Sequence, residues 1–142
     1  MRPKTRLDPV IKLEEKKEER KLLEMAVAGQ RVKTAQDALA EAQSRARTDH
    51  RRSATAMDWQ LAEVAHARVL HEVSSAERNV KTAAVEAAAT REAYKAAYAK
   101  AEALRRVAAT RVEEILAAHS KAEDKVLDEI GTTQFMARIR AA

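Results

Sequence analysis

Residues 69–108 read VLHEVSSAERNVKTAAVEAAATREAYKAAYAKAEALRRVA. Within this stretch Val73, Val80, Ala87, Tyr94, Ala101 and Ala108 stand seven apart. Val69, Ala76, Ala83, Ala97 and Leu104 occupy the companion positions, with Thr90 as the one exception. A heptad of this kind puts one apolar stripe on an α-helix and requires a second helix against it. Because much of the stripe is alanine, the partner helix comes close. After Ala108 the stripe moves by four residues and continues as Val112, Ile115, His119, Ala122, Val126 and Ile130. Such a stutter locally unwinds a supercoil.

A second stripe precedes the first. Met25, Val32, Leu39 and Ala46 are seven apart, and Ala28, Ala35 and Ala42 follow the first three at a spacing of three. Asp8 and Pro9 suit the start of this helix, as cap and first helical residue. The pattern fails at Thr48 and Asp49, and Thr55-Ala56-Met57-Asp58 resembles a capping box for the next helix. Gly131 suits a helix C-cap, with Lys121 and Lys125 in the turns before it. Thr132 and Thr133 suit the start of a short last helix through Phe135, Met136 and Ile139. The expected fold is therefore all-α, with two long helices forming an antiparallel coiled coil, an α-helical hairpin in a single domain. Helix one is expected over about 9–48, the turn over about 49–58, helix two over about 59–130, and a short tail over 131–142. A first helix of about 40 residues spans roughly 60 Å and a second of about 70 roughly 105 Å. The end of helix two then overhangs the start of helix one. It carries Ile115, Leu116, Val126, Leu127 and Ile130, a stripe with nothing to pack on unless a partner covers it.

Composition agrees. Of 142 residues, 35% are charged and 3% aromatic, with two glycines and two prolines, so a core filled by bulky side chains is not expected. The net charge of +5 favours acidic partners without specifying nucleic acid. There is no cysteine, which excludes disulfides and thiolate chemistry. No apolar run follows the basic opening residues, so no secretory signal is expected. No stretch reaches the roughly 20 apolar residues that span a bilayer.

Sites for chemistry are scarce. His66 and His71, five apart, fall on different helical faces, and no carboxylate completes a zinc motif. There is no Gly-rich phosphate loop and no nucleophile elbow. Neither enzymatic activity, metal nor cofactor is expected. His119 reads as a polar seam residue that sets register. The run from Glu14 to Lys21 forms acidic and basic stripes, either solvated or a docking surface. Arg45, Arg47, His50, Arg51 and Arg52 cluster at the turn. They form either a solvated tip or a contact for an acidic protein; no aromatic residues interleave for base stacking, and nucleic acid is not expected. Trp59 beside them either staples the turn or anchors a partner.

Both ends of the chain resemble the flagellar export stalk family, FliJ, and its relatives in virulence secretion. The resemblance rests on Arg6-Leu7-Asp8-Pro9-Val10-Ile11-Lys12-Leu13 running into Glu14–Glu19. It rests also on Glu123 with Leu127-Asp128-Glu129-Ile130, and on Phe135 and Arg138. It implies a central stalk that inserts into the hexameric flagellar export ATPase, promotes its assembly and activity, and links it to the cytoplasmic domain of the membrane export gate. Export chaperones are further implied partners. The implied location is cytoplasmic, at the periphery of the inner-membrane export apparatus. The implied ring contacts are Leu7, Val10, Leu13, Glu123, Leu127, Asp128, Glu129 and Ile130. The implied gate-facing tip carries Arg45, Arg47, Arg51, Arg52 and Trp59. Gly131-Thr132-Thr133 departs from the family, in which the helix runs on. The rival readings are a generic coiled-coil adaptor or homodimeric scaffold, and a basic helical protein acting on nucleic acid or a membrane surface.

Overall fold

A computed structural model describes residues 3–47 and 55–141. Two helices account for nearly all of them: α1, Asp8–Arg47, and α2, Ala56–Ala141. The fold is all-α, two long helices paired antiparallel. The described residues form two compact units, 3–16 with 99–141 and 17–47 with 55–98.

Both helix starts are set by a threonine and an aspartate three residues on. At α1 the cap is Thr5 rather than Asp8. The Thr5 backbone N–H donates to Asp8 Oδ2 at 3.1 Å, and the Thr5 hydroxyl donates to Asp8 Oδ1 at 2.8 Å. Asp8 thus holds the third position of a capping box, and Pro9 comes one residue inside it. Proline has no N–H to offer the Thr5 carbonyl, which instead accepts from the Asp8 N–H at 3.2 Å. At α2 the expected Thr55–Asp58 box is present. The Asp58 N–H donates to Thr55 Oγ1 at 3.2 Å, that hydroxyl donates to Asp58 Oδ2 at 2.7 Å, and the Trp59 N–H reaches the Thr55 carbonyl at 3.1 Å. Helix two therefore begins at Ala56, three residues before the expected start.

In the unit formed by 17–47 and 55–98, direction is read from two ion pairs. Arg31 meets Glu86 at 3.8 Å and Arg45 meets Glu72 at 3.4 Å. Fourteen residues forward on α1 match fourteen backward on α2, which is an antiparallel pairing two heptads long. Met25, Ala28, Val32, Ala35, Leu39, Ala42 and Ala46 are buried or half-buried, as are Val69, Val73, Ala76, Val80, Ala83, Ala87, Thr90, Tyr94 and Ala97. These are the heptad positions read from the sequence. Thr90 is accommodated because its hydroxyl donates to the Ala87 carbonyl at 2.9 Å. The fully buried members, Ala28, Ala42 and Ala83, are alanines, so close approach rather than bulk seals the seam.

In the unit formed by 3–16 and 99–141, Ala101 and Ala108 are completely buried. Leu7 and Ile11 of the opposite segment are half-buried, as are Leu104, Val112 and Ile115. Arg111 is exposed where Val112 is not, so the four-residue shift after Ala108 is present as the sequence pattern requires. Glu15 meets Arg105 at 3.2 Å, and Pro3, Lys4 and Asp8 line a shallow recess with Arg105 and Ala109. The α1 segment therefore runs against 100–115.

Two expectations fail here. Helix two does not stop at Gly131, and no separate tail follows it: α2 continues to Ala141. A C-cap needs a residue in the left-handed conformation, and neither glycine has positive φ. Instead the hydroxyls of Thr132 and Thr133 donate to the Asp128 and Glu129 carbonyls at 2.8 and 2.7 Å. Arg138 and Arg140 then favour the helix C-terminus through its dipole. His119 is exposed rather than seated in a seam, because residues 116–141 have no helix against them among the described residues.

Candidate interaction surfaces

The charged run of α1 is not wholly solvated. Glu14 is on the seam side and its side chain is only 7% exposed, while Lys100, 3.2 Å from it, is 63% exposed. Glu18 and Lys21, the next two seam positions, are half-buried. The heptad thus extends through the run back to Ile11 and Leu7, with charged side chains where the rest of the helix has apolar ones. Lys21 also pairs forward with Glu24 at 2.9 Å.

Of the sequence-derived contact set, Val10, Leu13, Glu123, Leu127, Asp128, Glu129 and Ile130 are exposed, and Leu7 is half-buried. The structure does not bring them into one patch. Glu15 is level with Arg105, so Leu7 is level with about residue 113; Leu127 lies some 14 residues further, roughly 20 Å along α2. Leu7, Val10 and Leu13 belong to the paired part of the unit. Glu123 to Ile130 belong to the projecting part, whose large apolar side chains are open: Leu116, Val126, Leu127, Ile130, Phe135, Met136 and Ile139 are all between 48% and 64% exposed. Exposed apolar side chains recurring along one unpaired helix mark a surface awaiting a partner. A shallow apolar recess lined by His119, Ala122, Glu123, Val126 and Leu127 falls on this part.

At the other candidate surface, Arg45 bridges to Glu72 across the pair and to Glu41 at 4.0 Å along its own helix. Arg47 and Trp59 are exposed; Arg51 and Arg52, with His50, lie outside the described residues. Met57, Leu61 and Val64 form an exposed apolar row at i, i+4 and i+7. The sequence carried this row as well, but it becomes readable only once the helix is known to start at Ala56.

None of this resembles a catalytic centre. No group of three metal-ligating residues occurs among the described residues. The Glu92 carboxyl is held below its ordinary range by the hydrogen bond from Lys95 at 2.9 Å and by that ammonium's charge; it is an exposed pair on one helix. No helix among the described residues is long and apolar enough to cross a membrane.

A family model described as flagellar FliJ protein matches residues 3–140. The chain belongs to the FliJ family. The match takes in both helices and the projecting end, so the resemblance seen at the two termini extends across the middle, where the sequence is ordinary coiled coil. Membership makes the chain a component related to flagellar protein export. Comparison with curated proteins and with solved structures finds no match.

Proposed function

We propose that the protein is the central stalk of the flagellar type III export apparatus. In this reading the end formed by the start of α1 and the end of α2 enters the hexameric export ATPase, promotes its assembly and raises its activity. The opposite end, with Arg45, Arg47, Arg51, Arg52 and Trp59, faces the cytoplasmic domain of the export gate. Export chaperones are further partners, and the protein works in the cytoplasm against the inner-membrane apparatus without catalysing a reaction itself. The observation that carries the reading is the projecting part of α2: a stretch from Leu116 onward that keeps its apolar residues where α1 no longer covers them. A paired segment with an exposed apolar extension suits insertion into a cavity lined by other subunits. Leu7, Val10 and Leu13 are then contacts at the mouth, and Glu123, Leu127, Asp128, Glu129 and Ile130 contacts deeper in.

The test is the ATPase rate of the purified cognate hexamer with and without this protein. Stimulation with co-elution is expected. Replacing Leu127 and Ile130 by serine should cut the stimulation while leaving helicity by circular dichroism largely intact. An ATPase that neither binds nor responds to the native protein removes the stalk reading and leaves the adaptor or scaffold in its place.

A further inference from the structure

The projecting part of α2 is apolar on two opposite sides, and the two sides differ in charge. At 100° per residue, Val126 and Ile130 share a face with His119, Ala122 and Glu123, and Leu116 and Leu127 flank it. This face has no lysine or arginine between residues 115 and 130; its charge is Glu123. A second face is formed by Lys121, Lys125, Asp128, Thr132, Phe135, Met136 and Ile139. These recur at spacings of three and four with one adjacent pair, as a single straight row on a continuous helix requires. Val126 and Ile139 are thirteen positions apart, which carries the second row about 180–220° round from the first. Phe135 is 63% exposed and Ile139 55%, so nothing in the molecule covers the second row. Its lysines outnumber its one carboxylate. Continuity through Gly131 produces this geometry: a helix that stopped there would have no fixed phase between Val126 and Ile139.

We infer that residues 115–141 are held between two unlike protein walls at once. One wall is apolar with a basic group opposite Glu123; the other is apolar with carboxylates opposite Lys121 and Lys125. A single groove reaches one side of a helix and leaves the other in water. Two opposed walls desolvate both rows, and the opposite charges fix which row meets which wall. The occupant is thus a pair of facing subunit surfaces of different chemistry, and the segment is keyed in rotation rather than seated as a smooth bearing. This rests on the stalk reading for the identity of the walls, which are two subunits of the export ATPase.

The experiment uses the full chain and the cognate hexamer, with affinity read by titration and function by ATPase rate. Four variants are compared: Val126→Ser with Ile130→Ser, Met136→Ser with Ile139→Ser, Glu123→Lys, and Lys121→Glu with Lys125→Glu. Each is checked for helicity by circular dichroism, and Phe135→Ser serves as a milder second-row change. Each double serine variant should weaken binding about tenfold or more, since two exposed apolar side chains lose their burial. Both charge reversals should weaken binding, and raising salt should narrow the difference from the native protein. If the native chain binds and stimulates but the second-row serine variants equal it, the two-wall inference is overturned and the stalk reading stands. If the native chain does not bind the hexamer, both fall together. A loss of binding by both rows with no effect of either charge reversal overturns the keyed orientation.

Discussion

Glu14 holds a seam position that leucine would fill better. Its carboxylate is almost wholly out of water, while the ammonium beside it is mostly in water. Such a pair gives up hydration on one side and gains a screened attraction on the other. Glu14→Leu should therefore stabilise the protein by about 1 kcal/mol: burying leucine contributes about 1.5–3 kcal/mol, less the lost pair and an imperfect fit. A thermal melt should rise by a few degrees, and a fall would mean that the charged seam positions are structurally required. Gly29 offers a second residue-scale test. A methyl group added there meets nothing within 4 Å and the backbone is helical, so Gly29→Ala should add about 1 kcal/mol, again read from the melt. The burial of Glu14 was hard to read from sequence for a physical reason. In the run Glu14–Lys21 every face is charged, so a periodicity of hydrophobic residues cannot reveal which side turns inward. Counting back by sevens from Met25 and Ala28 reaches Glu18 and Glu14, but only the heptad's continuation licenses that step.

At the scale of elements, pairing and projection were legible and the ends were not. The alanine-rich heptads specify both a partner and a register, so the seam from Met25 to Ala46 and from Val69 to Ile115 follows from spacing alone. Helix ends depend on single side chains: Thr5 rather than Asp8 caps α1, and Gly131 passes through a helix that it would suit as a stop. The seam predicts its own failure. Leu39 is half-buried at a heptad position, so Leu39→Asp puts a carboxylate against apolar neighbours and should cost roughly 2 kcal/mol or more in the melt. An unchanged melt would mean that this register is wrong. Residues 116–141, by contrast, have intrahelical hydrogen bonds but no tertiary packing, and an unpacked helix in water is only marginally stable. Amide hydrogen exchange should show strong protection over 69–108 and protection lower by roughly 100-fold or more over 119–141 in the free protein. Binding to the ATPase should raise the second without changing the first. Equal protection of both stretches in the free protein would show that the projecting part is already covered.

For the molecule as a whole, the open question between stalk and scaffold is whether the exposed stripe is met by a second copy. Along α1 and the first two thirds of α2 the seam is satisfied within the chain, so a dimer has only the projecting part to use. Its first row offers five large apolar side chains, each already partly covered by its own helix. That amounts to roughly 400–500 Å² on each copy, below the 800 Å² or so that a stable interface buries per partner. Charge opposes it as well. Residues 113–130 contain six carboxylates, Glu113, Glu114, Glu123, Asp124, Asp128 and Glu129, against Lys121 and Lys125. Two antiparallel copies centred on Val126 would set Glu123 beside the other's Glu129 and Asp124 beside its Asp128, like against like. The free protein should therefore be a monomer at micromolar concentration by sedimentation equilibrium or light scattering, at low salt and at high salt alike. A stable dimer that Val126→Ser with Ile130→Ser dissolves would mean that the stripe is the chain's own interface. The projecting end would then be closed to an ATPase, and the scaffold reading would account for the same exposed residues.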